Sequence, residues 1–373
     1  MSNIVEWKSL GKVCLFQRGK TITAKNTITG EIPVIAGGQT PSYYHNESNR
    51  TGETITIAGS GAYAGFVSYW NQPIFVSDAF SVEPKPELGI KYLFYWLKMN
   101  QLKIYATQKG AGVPHVHGKD IANFIIPIPS LTEQNRIVGI LDTFTAAIDN
   151  LKEQIVQRRK QFEYYRNQLL DLEGKEGVEW CCIDKLGNYF SGLTGKTKKD
   201  FENGNAKFIT YMNVFSNPSL NHFALGKVHI KEGEKQNKIH KGDILFTGSS
   251  ETPEEAGMSC VITEEPDEDY YMNSFCFGLR LNCKDYNLNY FKYLLRSYSI
   301  RKEITKTASG VTRFNISKSK FSNIKLPIPS QLEQNRIVGI LDTFEASIQN
   351  LEAQLDLRQK QYEYYRNKLL TFD

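Results

Sequence analysis

Six cysteines occur in the 373 residues, Cys14, Cys181, Cys182, Cys260, Cys276 and Cys283, with no Cys-x-x-Cys pair and no histidine at metal-ligand spacing beside them. That scarcity argues against a zinc knuckle and against a disulfide framework, and leaves reduced thiols. No apolar run approaches the roughly 18 residues a membrane span needs, and the first residues lack the apolar stretch of a secretory signal. A soluble, cytoplasmic protein with no membrane partner is the expectation. Catalytic signatures are missing as well. Gly195-Lys196-Thr197 and Gly19-Lys20-Thr21 end like phosphate-binding loops, but the glycine required five positions earlier is Phe190 in one and Cys14 in the other, so both read as turns. Asn217-Pro218-Ser219-Leu220 lacks the aromatic that stacks on an extruded base, and no glycine-rich cofactor loop precedes it. Asp171 with Glu173-Gly174-Lys175 reads as a charged linker, and His115 and His117 have no carboxylate or thiol cluster nearby to complete a metal site. No catalytic residue, metal site or resident cofactor is expected.

What the chain does have is a stretch written twice. Residues 126–170 return at 326–370, 200 positions later, with about two residues in three unchanged. The regions ahead of them have drifted far apart, so the chain is two units of variable-then-constant sequence. The organisation reads as 1–125 variable, 126–172 constant, 173–325 variable and 326–373 constant. Net charge follows the same division: +4, 0, +3 and −2 in that order, within a total of +5. The mild excess on the variable parts is compatible with phosphate contacts and equally with an ordinary solvated surface.

Pro127 and Pro129 enforce an extended lead-in, and Ser130-Leu131-Thr132-Glu133 offers a capping box that recurs as Ser330-Gln331-Leu332-Glu333. Apolar or aromatic residues then fall at Ile137, Leu141, Phe144, Ile148, Leu151, Ile155, Phe162, Tyr165 and Leu169, broken at the seam only by Arg158. The second copy keeps this register and places Arg358 in its seam. The pattern predicts two coiled-coil helices. A lone helix would leave its stripe in water at roughly 1.5–3 kcal/mol per large side chain, so the copies should pack on each other. An antiparallel pairing is favoured over a parallel one, because Arg158 and Arg358 then need not meet; it would relate the two units by an approximate two-fold axis. About 40 helical residues span about 60 Å. Outside the seam, Glu133, Gln134 and Arg136 recur as Glu333, Gln334 and Arg336, and Glu163, Tyr164 and Arg166 recur as Glu363, Tyr364 and Arg366. A shared outward face suggests a shared kind of partner; recent duplication would preserve it without one.

The variable regions retain faint correspondences: Val5-Glu6-Trp7 with Val178-Glu179-Trp180, Gly59-Ser60 with Gly248-Ser249, and Tyr92–Leu97 with Tyr290–Leu295. Short β-rich runs between Gly, Ser and Asn turns, followed by one amphipathic helix, predict a mixed α/β domain in each. Their polar loops carry groups suited to nucleic acid: Gln39, Tyr43, Tyr44, His45, Arg50, Ser60, Tyr63, His115 and His117 in the first, and Lys196, Lys198, Lys199, Asn213, Ser250, Glu251, Arg313, Asn315 and Lys318 in the second. Arginine can grip guanine by two bonds, Asn and Gln can do so with adenine, and lysine mostly holds phosphate. A coiled-coil scaffold whose variable domains bind protein or glycan is the alternative.

The Pro-x-Pro-Ser lead-in, the run Glu133-Gln-Asn-Arg-Ile-Val-Gly-Ile-Leu-Asp142, its duplication after two divergent domains, and the segment Asp243 to Gly257 together resemble the specificity subunits of type I restriction-modification systems. The likeness covers the whole chain in order. It implies an α+β architecture of two mixed α/β target-recognition domains separated by two long helices paired as an antiparallel coiled coil. It also implies that each variable domain reads one half of a split double-stranded DNA target, while the helices fix the gap and dock two methyltransferase subunits, with restriction subunits in the full complex. Adenine methylation and cleavage, with S-adenosylmethionine, ATP and Mg²⁺, would then belong to those partner subunits.

Overall fold

The computed structural model describes residues 5–283 and 285–372. They form two compact units, one of residues 1–153 with 352–373 and the other of residues 154–351, so the division runs through both long helices.

In the first unit a four-stranded antiparallel sheet has the order Cys14–Arg18, Ala79–Pro84, Thr54–Ala58, Val67–Trp70. A second sheet of three strands has the order Tyr43–His45, Ile32–Ile35, Phe75–Val76, the last pair parallel. The strand Thr54–Ala58 is buried throughout, because the aromatic helix Ile90–Met99 packs Tyr92, Leu93, Trp96 and Leu97 into the same core as Ile55 and Ile57. The chain enters through Glu6–Ser9 and leaves through Ile125–Ile128, and these two strands pair antiparallel with Trp7 opposite Pro127.

The second unit repeats the plan. Its four-stranded sheet runs Gly187–Ser191, Cys276–Leu281, Asp243–Thr247, Ser259–Val261, and its three-stranded sheet Leu225–Val228, Ala206–Ile209, Tyr270–Met272. The aromatic helix is Leu288–Leu294, and Glu179–Cys182 pairs with Lys325–Ile328, Trp180 facing Pro327. A third small sheet, Ser249–Ser250 with Phe314–Ile316 and Ala308–Ser309, is reduced in the first unit to isolated bridges Ser60–His115 and Lys109–His115.

Each constant segment is one continuous helix, Leu131–Leu170 and Gln331–Leu370. Ser130 and Ser330 cap them, each hydroxyl accepting from the backbone N–H three residues on at 3.3 Å. The reciprocal half of the expected capping box does not form; the Glu133 and Glu333 carboxylates are instead gripped by Arg136 and Arg336 at 2.6–2.8 Å. Within the first unit Ile137 and Leu141 share a core with Leu370, and Phe144 stacks on Tyr365 at 5.4 Å. Within the second, Ile337 and Leu341 share a core with Leu170, and Phe344 stacks on Tyr165 at 5.3 Å. The start of one helix thus meets the end of the other in both units, which is the antiparallel pairing. Each seam arginine rests on an aromatic of the opposite helix within its own unit: Arg158 sits 5.8 Å from the Phe344 ring and Arg358 5.8 Å from Phe144.

Candidate nucleic-acid interface

A joint orients each variable domain on its helix. Gln134 is 1% exposed; its Oε1 accepts from the Gly89 N–H at 2.7 Å, and its Nε2 donates to the Pro129 and Glu87 carbonyls. Gln334, 3% exposed, accepts from the Asn287 N–H at 3.1 Å and donates to the Pro329 carbonyl. Tyr92 and Tyr290 add hydroxyl bonds to the Pro127 and Pro327 carbonyls. The two glutamines expected on a partner-facing surface are therefore internal, for a physical reason: a buried amide can satisfy backbone donors and acceptors together. Beside the joint, Asp142 takes bonds from Lys91 (2.7 Å) and Tyr95 (2.6 Å) in the first unit. In the second, the Lys292 ammonium, 7% exposed, lies between Glu345 at 2.7 Å and Asp342 at 3.7 Å, with the Tyr293 hydroxyl on the same carboxylates. Burial and these anionic neighbours push the Tyr293 phenol far above its ordinary range.

Of the other helix residues, Glu163, Glu363, Tyr164, Tyr364, Arg136 and Arg336 are exposed. Arg166 is half-buried with its guanidinium 5.6 Å from Phe162, and desolvation lowers its pKa. Arg366 lies over Tyr362 and donates to Asn367 Oδ1.

Away from the helices, three segments of each domain converge at one junction. In the first unit the strand Thr54–Ala58 runs into Gly59-Ser60, whose Gly59 N–H donates to the Asp78 carbonyl at 3.0 Å, while Ser60 bridges His115. In the second, Asp243–Thr247 runs into Gly248-Ser249, Gly248 N–H donates to the Phe275 carbonyl at 2.8 Å, and Ser249 pairs with Asn315. The hairpin that supplies His115 or Asn315 turns at Gly110 (φ +112°) or Gly310 (φ +152°), where a Cβ would stand 2.6 Å from the Val113 carbonyl oxygen or 1.9 Å from that of Arg313. Glycine is required at both turns.

The same backbone positions carry different chemistry. In the first unit the Ser60 hydroxyl donates to the Asp78 carboxylate, and Asp78 lines a cleft of about 200 Å³ together with Arg18, His115, His117 and Lys119. In the second, the Arg313 Nε donates to Ser249 Oγ at 3.0 Å and its guanidinium lies 5.2 Å from the Phe275 ring. The adjoining cavity, about 430 Å³, is lined by Tyr211, Met212, Ser250, Glu251, Glu255 and Arg313. Ser60, His115, His117, Ser250, Glu251, Arg313 and Asn315 are thus gathered at the junctions.

Others are held elsewhere. His45 is buried edge-on against Phe75 and accepts from the Ile28 N–H. Arg50 donates to Ser81 Oγ and to the Asn49, Gln17 and Arg18 carbonyls. Lys196 is locked onto Glu234 and the His229 carbonyl, and Asn213 is buried, donating to the Asn221 and Ala224 carbonyls. These four side chains brace loops. The Tyr43 hydroxyl donates to the Ile22 carbonyl. Gln39, Tyr44, Tyr63, Lys198, Lys199 and Lys318 are exposed, Lys318 lying 5.6 Å from the Phe277 ring. Asp78, Phe275, Arg18 and Lys119 escaped the sequence reading. For the hairpin beside Lys119 the spacing of Gly110 and Gly310, again 200, was an available signal, but that register does not reach Arg18, Asp78 or Phe275. Among the described residues no group of three or more His, Cys, Asp or Glu could hold a metal ion, and no helix is long and apolar enough to cross a membrane.

The type I restriction modification DNA specificity domain profile matches residues 4–158 and again 175–357. The EcoR124I/EcoR124II specificity subunit of Escherichia coli is 29% identical over 76% of this chain and 71% of its own length. The MjaVIII specificity subunit of Methanocaldococcus jannaschii is 24% identical over 85% and 78%. A solved type I restriction-modification S subunit from M. genitalium shares the fold with a TM-score of 0.61 at 18% identity, covering 100% of this chain and 98% of its own. A profile that matches each half separately, on a fold built twice around paired helices, shows that this chain belongs to the type I restriction-modification DNA specificity family.

Proposed function

We propose that the chain is the sequence-reading subunit of a type I restriction-modification complex. Each variable domain binds one half of an asymmetric, split DNA target, the two long helices set the gap between the halves, and the exposed helix residues dock two methyltransferase subunits, with restriction subunits in the full assembly. The observation that carries this reading is one frame used twice with unlike side chains at the same junction. A duplicated frame supplies the same approach to a duplex, and changed side chains at its tip supply a different sequence. Two weak contacts joined by a stiff connection bind together through effective concentration. The chain itself carries out no chemistry in this account; S-adenosylmethionine, ATP and Mg²⁺ are bound and used by its partners.

Methylation mapping of the host genome before and after deletion of this chain tests it. The expected result is the loss of one split adenine-methylated motif. A methylome unchanged by the deletion, or methyl transfer by the purified chain alone, overturns it. Duplex binding should weaken steeply as salt rises, since phosphate contacts release counterions.

A further inference from the structure

Arg313 differs from the other arginines of its domain in what it leaves free. Arg280 is paired with buried Asp243, and Arg296 and Arg301 donate to backbone carbonyls inside the unit. Arg313 is held by Nε alone, through Ser249 Oγ at 3.0 Å, and among the described residues neither terminal nitrogen has a hydrogen-bond or ion-pair partner. Phe275, whose ring lies 5.2 Å from the guanidinium, is 58% exposed, so a large apolar surface stays in water beside a cation. The hairpin beneath is fixed by Gly310 and by pairing of Ser309 and Ser249 with Asn315. An arginine anchored at one nitrogen and resting on a ring presents a planar fork, which matches the O6 and N7 acceptors of guanine.

We infer that Arg313 reads a guanine in the half-site bound by the second unit. The assignment rests on the proposed reading of DNA by that unit. A phosphate contact, the common use of a surface arginine, calls for neither the ring support nor the fixed Nε. In the first unit the matching tip residue is Val113 and the matching junction residue is Asp78, so no equivalent fork exists there.

The test uses the full chain in the complex it forms with its co-expressed modification subunits, and a pool of 40-bp duplexes of random sequence. Wild-type complex should retain a split sequence with a guanine in one half. Arg313→Ala and Arg313→Lys should each lower the preference for guanine at that position by roughly 10- to 100-fold while the other positions persist. Replacing that guanine by 7-deazaguanine, which lacks the N7 acceptor, should weaken wild-type binding similarly and weaken Arg313→Ala no further. This arm decides the matter on wild-type protein if the variants do not fold. Unchanged base preference in both variants, uniform weakening on every duplex, or indifference to 7-deazaguanine overturns the assignment. A wild-type complex that retains no sequence overturns the DNA-reading function itself, a result distinct from retaining a sequence indifferent to Arg313.

Discussion

The helix joint and the junction teach opposite lessons about what a duplicated chain keeps. At the joint, Gln134 and Gln334 bond to backbone atoms, which every residue supplies, so the contact survives while Gly89 in one unit is Asn287 in the other. At the junction the main-chain bonds are shared too, but further bonds run between side chains, and there Ser60 with Asp78 in one unit becomes Ser249 with Arg313 over Phe275 in the other. Geometry carried by the main chain tolerates substitution, whereas chemistry carried by side chains changes with each one. The frame is common property and the tip is individual.

The largest effect that would sharpen this contrast comes from the helices. Matched four-residue insertions in both, one between Leu151 and Leu170 and one between Leu351 and Leu370, add about 6 Å of rise each. Methylation at the original target should be lost and reappear at a target with an altered gap; an unchanged target breaks the comparison at its base. Next, Gln134→Ala should cost about 2–4 kcal/mol in chemical denaturation, because it strands a buried N–H and two carbonyls. Gln334→Ala should cost less, since Gln334 lacks the counterpart of the Glu87 bond. Equal losses would mean the two joints are energetically alike. Lys292→Met should destabilise by about 1–3 kcal/mol, discounted for the partial exposure of Asp342 and Glu345. Lys91→Met, on a pair exposed by more than a third on both sides, should cost well under that. Arg158→Leu should shift stability by no more than about 1 kcal/mol, because the cation lies over Phe344 instead of being buried alone. Smallest, thiol reagents at pH 8 should label exposed Cys283 promptly and spare Cys14, Cys260 and Cys276, whose thiols burial pushes up to about 12.

Much of the frame was legible in the residues. The seam from Ile137 to Leu169 gave the helices their length and register, and the equivalent places of Arg158 and Arg358, which would meet in a parallel pair, gave their direction. Sheet order was not legible: Thr54–Ala58 alternates Thr and Ile as a half-wet strand would, yet it is buried on both faces and lies inside its sheet between Ala79–Pro84 and Val67–Trp70. Gln134 was read as surface because polarity is the usual sign of exposure, and nothing in its neighbours announces that Gly89 will need an acceptor. Asp78 and Phe275 were missed for another reason. They share a place only through a hydrogen bond from Gly59 or Gly248 to their carbonyls, which no comparison of side-chain types can find.

The core of the first unit holds one more consequence. Ile137 and Leu141 pack with Leu370 and Phe372, residues translated more than 200 codons after them. At about 5–20 residues per second, the ribosome needs roughly 10–40 s to supply that last piece, while the second unit is drawn from one uninterrupted stretch of nascent chain. The unit translated first is therefore finished last, and in the interval its apolar helix face waits, open to chaperones.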